Sequence, residues 1–89
     1  MIVKIDKSLE RDVKKITDSA IKKNLTKTII EIEIANDIFE LKNVKKLKGH
    51  KNFYRIRIGD YRLGLILTGN TAELIRFLHR KDIYRYFPS

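Results

Sequence analysis

Apolar side chains recur with two different periods along this chain, and the change falls near residue 42. Ile2-Val3-Lys4-Ile5 alternates weakly and predicts a short strand. Asp6 or Ser8 then stands where a helix cap is needed, ahead of Leu9, Val13 and Ile16 at helical spacing. Thr17-Asp18-Ser19 supplies a break and a second N-cap. From Ala20 to about Leu41, the positions Ile21, Leu25, Ile29, Ile32, Ala35 and Phe39 recur every three or four residues, which predicts one face of a long helix. Thr28 to Ala35 is rich in Ile and strand-like in composition, but the acids Glu31 and Glu33 and the continuing phase favour helix. Two helices joined by a few residues predict an antiparallel hairpin.

After Lys42 the period becomes two. Val44 to Leu47 predicts a short strand or an extended connection, and Gly49-His50-Lys51-Asn52 is turn-like. Phe53–Ile58, Tyr61–Thr68 and Thr71–Leu78 predict three strands, with Gly59-Asp60 and Gly69-Asn70 as hairpin turns. Arg80 to Phe87 predicts one short closing helix, stopped by Pro88. The expected fold class is α+β. An N-terminal strand and a helical hairpin pack on one face of a mainly antiparallel, three- to four-stranded sheet.

Composition narrows the class. With 89 residues the chain is expected to form one domain, 1–89, and to bury only roughly 60% of its unfolded surface. A surface site is therefore expected rather than an enclosed cavity. No window approaches a membrane span and no signal-like apolar run opens the chain, so a cytoplasmic protein with no membrane partner is expected. The absence of cysteine excludes disulfides, thiolate metal sites and a Cys nucleophile. Two histidines without clustered carboxylates argue against zinc or calcium, and no cofactor is expected.

The net charge of +9 is not spread evenly. Residues 1–41 hold eight basic and eight acidic side chains, whereas residues 42–89 hold twelve basic and three acidic. A one-sided positive field suits a phosphate polymer or an acidic partner. Lys45, Lys46, Lys48, Lys51, Arg55, Arg57, Arg76 and Lys81 are the candidate contacts to such a polymer in this half, RNA in the reading that the resemblance below implies.

Pairing the strands gives the field a shape. A two-residue Gly59-Asp60 loop sets Arg57 opposite Arg62 and Arg55 opposite Gly64. Tyr54, Ile56, Ile58, Tyr61, Leu63, Leu65 and Leu67 then face the helices, and three guanidiniums face solvent, with Gly64 leaving space beside them. Like charges directly opposite are destabilising on a sheet, and a polyanion relieves them. A strict two-residue Gly69-Asn70 turn would put Arg76 under the helices, where an unpaired charge is costly. A longer turn or one bulge brings Arg76 and Arg80 to the arginine face instead, and this shifted register is preferred. Tyr84 lies one helical turn after Arg80, and a phenol in a cationic patch can act as a base or stack on a nucleobase. Tyr86 and Phe87 are expected to pack in the core. His79 is read equally as a proton donor or a hydrogen-bonded strand end, and His50 has no expected catalytic role.

Leu47-Lys48-Gly49, the run Phe53-Tyr54-Arg55-Ile56-Arg57-Ile58-Gly59-Asp60-Tyr61-Arg62-Leu63, and His79-Arg80-Lys81-Asp82-Ile83-Tyr84 together resemble the RelE/ParE toxin superfamily, over nearly the whole chain. Resemblance to the RelE branch implies a toxin that enters the ribosomal A site, cuts the mRNA codon there, and is neutralised by a cognate antitoxin, expected to be acidic and amphipathic. It also implies matches of Arg55 and Arg57 to the family's strand cations, of Arg62 to its phosphate-binding arginine, of Arg80 to its late arginine and of Tyr84 to its C-terminal tyrosine. Where well-known members carry Lys, this chain has Arg, which stays protonated and cannot be a base. The base role therefore falls to Tyr84 or His79. The ParE branch, which inhibits DNA gyrase without chemistry, and an inactive member that binds only RNA or antitoxin are the competing readings.

Overall fold

The computed structural model describes residues 1–88. Its elements run β1 (Ile2–Ile5), α1 (Lys7–Lys14), α2 (Ser19–Ile34), a 3-10 turn (Ile38–Glu40), β2 (Val44–Lys46), β3 (Phe53–Ile58), β4 (Tyr61–Thr68), β5 (Thr71–His79) and α3 (Ile83–Tyr86). The architecture is α+β with the expected element order. The sheet has five strands rather than three or four, in the order β1-β5-β4-β3-β2. The extra member is β1, which pairs parallel with β5 from Ile2 opposite Thr71 to Ile5 opposite Leu74. An uncovered β5 edge would leave backbone groups unpaired, and the N-terminal strand covers its first four residues, Thr71 to Leu74.

Helix α1 satisfies the next part of that edge with side chains. Asp6 caps the helix by accepting from the Ser8 N–H, and these bonds to Ser8 pull its carboxyl below the ordinary carboxylate value. Ser8 Oγ donates to the Ile75 carbonyl at 2.6 Å, and Asp12 accepts from the Phe77 N–H at 3.0 Å. Asp18 caps α2 through the Ala20 N–H.

Helix α2 stops at Ile34, short of the expected Leu41. The cause is local: Asp37 and Glu40 form a reciprocal capping box that starts a separate 3-10 turn. The break resets the phase, so Ile38 is buried and Phe39, expected on the buried face, is exposed with its ring edge-on to Tyr54.

The main core lies between helices and sheet, where Leu9, Leu25 and Ile32 meet Ile56, Leu63, Leu65, Leu74 and Phe77. The opposite face of the sheet is not bare. Ile83 and Phe87 return across it and, with Leu47, Phe53, Ile75 and Leu78, form a second, smaller apolar cluster.

Candidate nucleic-acid interface

The β3–β4 hairpin has the expected register, with Arg57 opposite Arg62 and Arg55 opposite Gly64. Gly59, at φ 59°, supplies the left-handed residue that the tight turn requires. On the other side Lys45 of β2 pairs with Arg55 and so shares its face. The β4–β5 turn has two residues, and a bulge at Ile75, opposite the step from Gly64 to Leu65, shifts the pairing by one. Arg76 therefore stands opposite Gly64, on the arginine face, by the bulge alternative.

Each guanidinium of the patch turns to a different acceptor, which keeps the like charges apart. Arg55 Nε donates to the Tyr84 hydroxyl at 2.8 Å. Arg57 Nη2 donates to Asn43 Oδ1 at 3.2 Å. Arg62 Nη1 donates to the carbonyls of Gly59 and Tyr61 at 2.8 and 2.9 Å. Arg80 is held at the same hairpin tip, where its N–H donates to the Asp60 carbonyl at 2.7 Å. Its guanidinium lies 3.7 Å from the Asp60 carboxylate, an exposed pair of little strength.

Electrostatics tie the set together. Partial burial, then the Arg55 and Arg57 cations, pull the Arg62 guanidinium below the ordinary arginine value, with Tyr84 opposing and Arg80 adding to the effect. It remains a cation at neutral pH. A shallow hollow of about 290 Å³ opens among Asn43, Val44, Lys45, Arg55, Arg57 and Arg62. Its cationic wall suits phosphate oxygens, and the exposed Tyr84, bonded to Arg55 beside it, offers a ring to a base or ribose.

Other expected site residues lie elsewhere. Arg76 reaches the sheet's edge and forms a two-pronged pair with Asp12, at 2.8 Å from Nε and 2.9 Å from Nη2. Hydrogen bonding to that carboxylate raises its pKa, so its charge is engaged within the fold. His79 stands opposite Tyr61 on the helix-covered side, and its Nδ1 accepts from the Lys81 N–H. Register thus separates it from the arginines. Lys46 pairs with Tyr54 on that same helix-covered side. Lys48 and Lys51 line a separate hollow with His50, and Lys81 is exposed in the turn after β5. Phe87 is buried as expected, whereas Tyr86 is 44% exposed and lies over the Arg76 guanidinium at 5.4 Å. The space expected beside Gly64 is filled by the Phe87 ring.

Asn43 is a site residue that sequence reasoning missed. It takes a left-handed conformation (φ 65°), its carbonyl accepts from the Arg57 N–H, and its side chain holds the Arg57 guanidinium. An Asn at a turn just before a strand is the signal that was available.

Comparison with known proteins supplies the family. A model described as the ParE toxin of type II toxin–antitoxin systems matches residues 3–84. Toxin RelE3 of Methanocaldococcus jannaschii is 42% identical over 89 residues, covering 99% of this chain and all of the relative. The RelB–RelE antitoxin–toxin complex from Methanococcus jannaschii contains a chain that superposes with a TM-score of 0.81 at 40% identity, covering 96% of this chain and 99% of that one. The archaeal RelE–RelB complex from Pyrococcus horikoshii has the same fold, at a TM-score of 0.73 and 23% identity over 89% of this chain and 93% of that one. A match that spans almost every element, by sequence and by fold alike, places this chain in the RelE/ParE superfamily of type II toxin–antitoxin toxins.

Proposed function

We propose that this toxin is a metal-independent, ribosome-dependent mRNA endonuclease that cleaves the codon in the A site. The observation that carries the reading is the convergence of Arg55, Arg57, Arg62 and Arg80 with Tyr84 on one exposed face, Tyr84 being hydrogen-bonded to Arg55 at 2.8 Å. A surface that only docks a protein has no need of a phenol bonded to one guanidinium of a four-arginine patch.

In this mechanism the ribose 2′-oxygen attacks the adjacent phosphorus in line. The new O–P bond forms as the bond to the 5′-oxygen breaks, leaving a 2′,3′-cyclic phosphate and a 5′-hydroxyl. Tyr84 takes the 2′-hydroxyl proton on its phenolate oxygen and becomes the neutral phenol. Arg62 clamps the phosphoryl oxygens as charge builds on them, and Arg55 and Arg57 align the backbone on either side. Arg80 steadies the departing 5′-oxygen, which takes its proton from water. Lys45 extends the cationic wall along the RNA, and the ribosome provides the opposite wall of this open site. His79 and Arg76 fall outside the catalytic set because the fold turns them elsewhere.

A cognate antitoxin is the expected protein partner. The 40% identical RelE is known in complex with RelB, which supports this directly. The positive face suits an acidic, amphipathic segment of that partner.

The ParE-type family match sustains a second reading, inhibition of DNA gyrase by binding. Primer extension on translating ribosomes, run beside a gyrase supercoiling assay, separates the two. Codon-positioned 3′ ends with unaffected supercoiling are expected. Blocked supercoiling with intact mRNA would overturn the nuclease reading.

A further inference from the structure

Gly64 is the one residue of β4 without a side chain, and its backbone does not call for glycine. It lies outside the left-handed region that holds Gly49, Gly59 and Gly69. Glycine in a strand interior costs stability and commonly marks a close approach from another group. Here the approaching group is Phe87. A Cβ placed on Gly64 would lie 2.5 Å from Phe87 Cδ2 and 2.8 Å from Cγ and Cε2.

The Phe87 ring has little freedom to give way. It is 2% exposed, Ile83 beside it is fully buried, and the Phe53 ring lies 5.5 Å away. Between these two anchors runs the single turn of α3, closed by a 2.8 Å bond from the Phe87 N–H to the Ile83 carbonyl. Tyr84 projects from that turn. It is 60% exposed, so its place depends on the anchors and on the bond to Arg55. Arg55 is itself the direct cross-strand partner of Gly64. One position on β4 thus meets Arg55 across the ladder and, through Phe87, the turn that carries Tyr84.

We infer that the missing Cβ of Gly64 is the seat of the C-terminal segment, and that Gly64, acting through Phe87, is a positioning residue for Tyr84 against Arg55. The consequence for cleavage rests on the nuclease reading above; the structural lock does not. A side chain at 64 lifts Phe87, tilts α3 and carries the Tyr84 phenol away from Arg55, while the main core on the other face of the sheet is untouched.

The test is a cycle of full-length Gly64→Ala, Phe87→Leu and the double variant, with three readouts. The first is urea stability. Gly64→Ala is expected to destabilise the wild-type background, against the usual gain from Ala in a strand. In the Phe87→Leu background, where a smaller side chain makes room, it is expected to be neutral or stabilising. The second is the nuclear Overhauser contact between the Tyr84 ring and the Arg55 side chain, lost in Gly64→Ala and regained in the double variant. The third is ribosome-dependent cleavage, with kcat at least tenfold lower in Gly64→Ala, KM less affected, and kcat restored in the double variant to the Phe87→Leu level. Should Gly64→Ala fail to fold, recovery of folding in the double variant supports the lock, and its failure to fold overturns it. Wild-type stability and an intact Tyr84–Arg55 contact in Gly64→Ala would also overturn it. If the contact follows the cycle while wild type cleaves nothing, the lock stands and the nuclease reading falls.

Discussion

Arg62 carries a structural role at the hairpin and, in the proposed mechanism, a catalytic one, and a substitution separates the two. Its hydrogen bonds reach the carbonyls of Gly59 and Tyr61 at the surface end of a hairpin whose register is set by the apolar face beneath. Arg62→Ala is therefore expected to change stability by less than about 1 kcal/mol, read by urea unfolding. The same substitution is expected to reduce cleavage by at least about a hundredfold, since it removes a preorganised cation from the developing charge. Tyr84→Phe keeps the ring and loses the hydroxyl that accepts from Arg55. A comparable loss of cleavage with unchanged unfolding is expected in single-turnover assays. The face of Arg62 was legible in the sequence because strand alternation assigns one to each strand residue, and Tyr84 was placed on the same side by its spacing from Arg80. Asn43 and Gly64 were not read correctly, for a common reason. Their partners, Arg57 and Phe87, arrive from 14 and 23 positions away in the chain, and no local period encodes such a meeting.

At the level of elements, α1 does more than cover the core. Asp12 is 5% exposed and satisfies three donors, Arg76 Nε and Nη2 and the Phe77 N–H. Asp12→Ala strands a backbone N–H of β5 and a partly buried guanidinium together. A loss of about 2–4 kcal/mol in urea unfolding is expected, with Asp12→Asn milder because its amide oxygen can still accept from Phe77. Nothing in the spacing of Asp12 distinguished it from the other helix acids, since the β5 edge is 64 residues away. The α2 boundary has a different lesson. Hydrophobic phase continues to Phe39, yet the Asp37–Glu40 capping box ends the helical run first, because a satisfied cap outweighs one more apolar position.

For the whole molecule, the charge asymmetry becomes a directional surface. The positive excess of residues 42–89 contributes Lys45, Arg55, Arg57, Arg62 and Arg80 to the hairpin end of one sheet face, whereas Arg76 is neutralised by Asp12. Five cations on one single-stranded RNA predict a slope of about −3.5 in a plot of log affinity against log salt. Arg57→Ala should reduce its magnitude by about 0.7, and Arg76→Ala should leave it unchanged. Fluorescence anisotropy with a short labelled RNA reads both. An equal reduction from Arg76→Ala would mean that its pairing with Asp12 opens to admit RNA.

Amphipathic period and turn chemistry by themselves determined the element order, the β3–β4 register and the face on which three arginines lie, because these depend on neighbours a few residues apart. The family followed from the same motifs. Only the tertiary structure decided that β1 joins the sheet, that Arg76 is drawn off the arginine face to Asp12 at the sheet's edge, that His79 lies across the sheet from the arginines, and that Phe87 fills the notch above Gly64. Each of these depends on which surfaces compete for one strand edge or one gap, and that competition exists only once the chain has closed on itself.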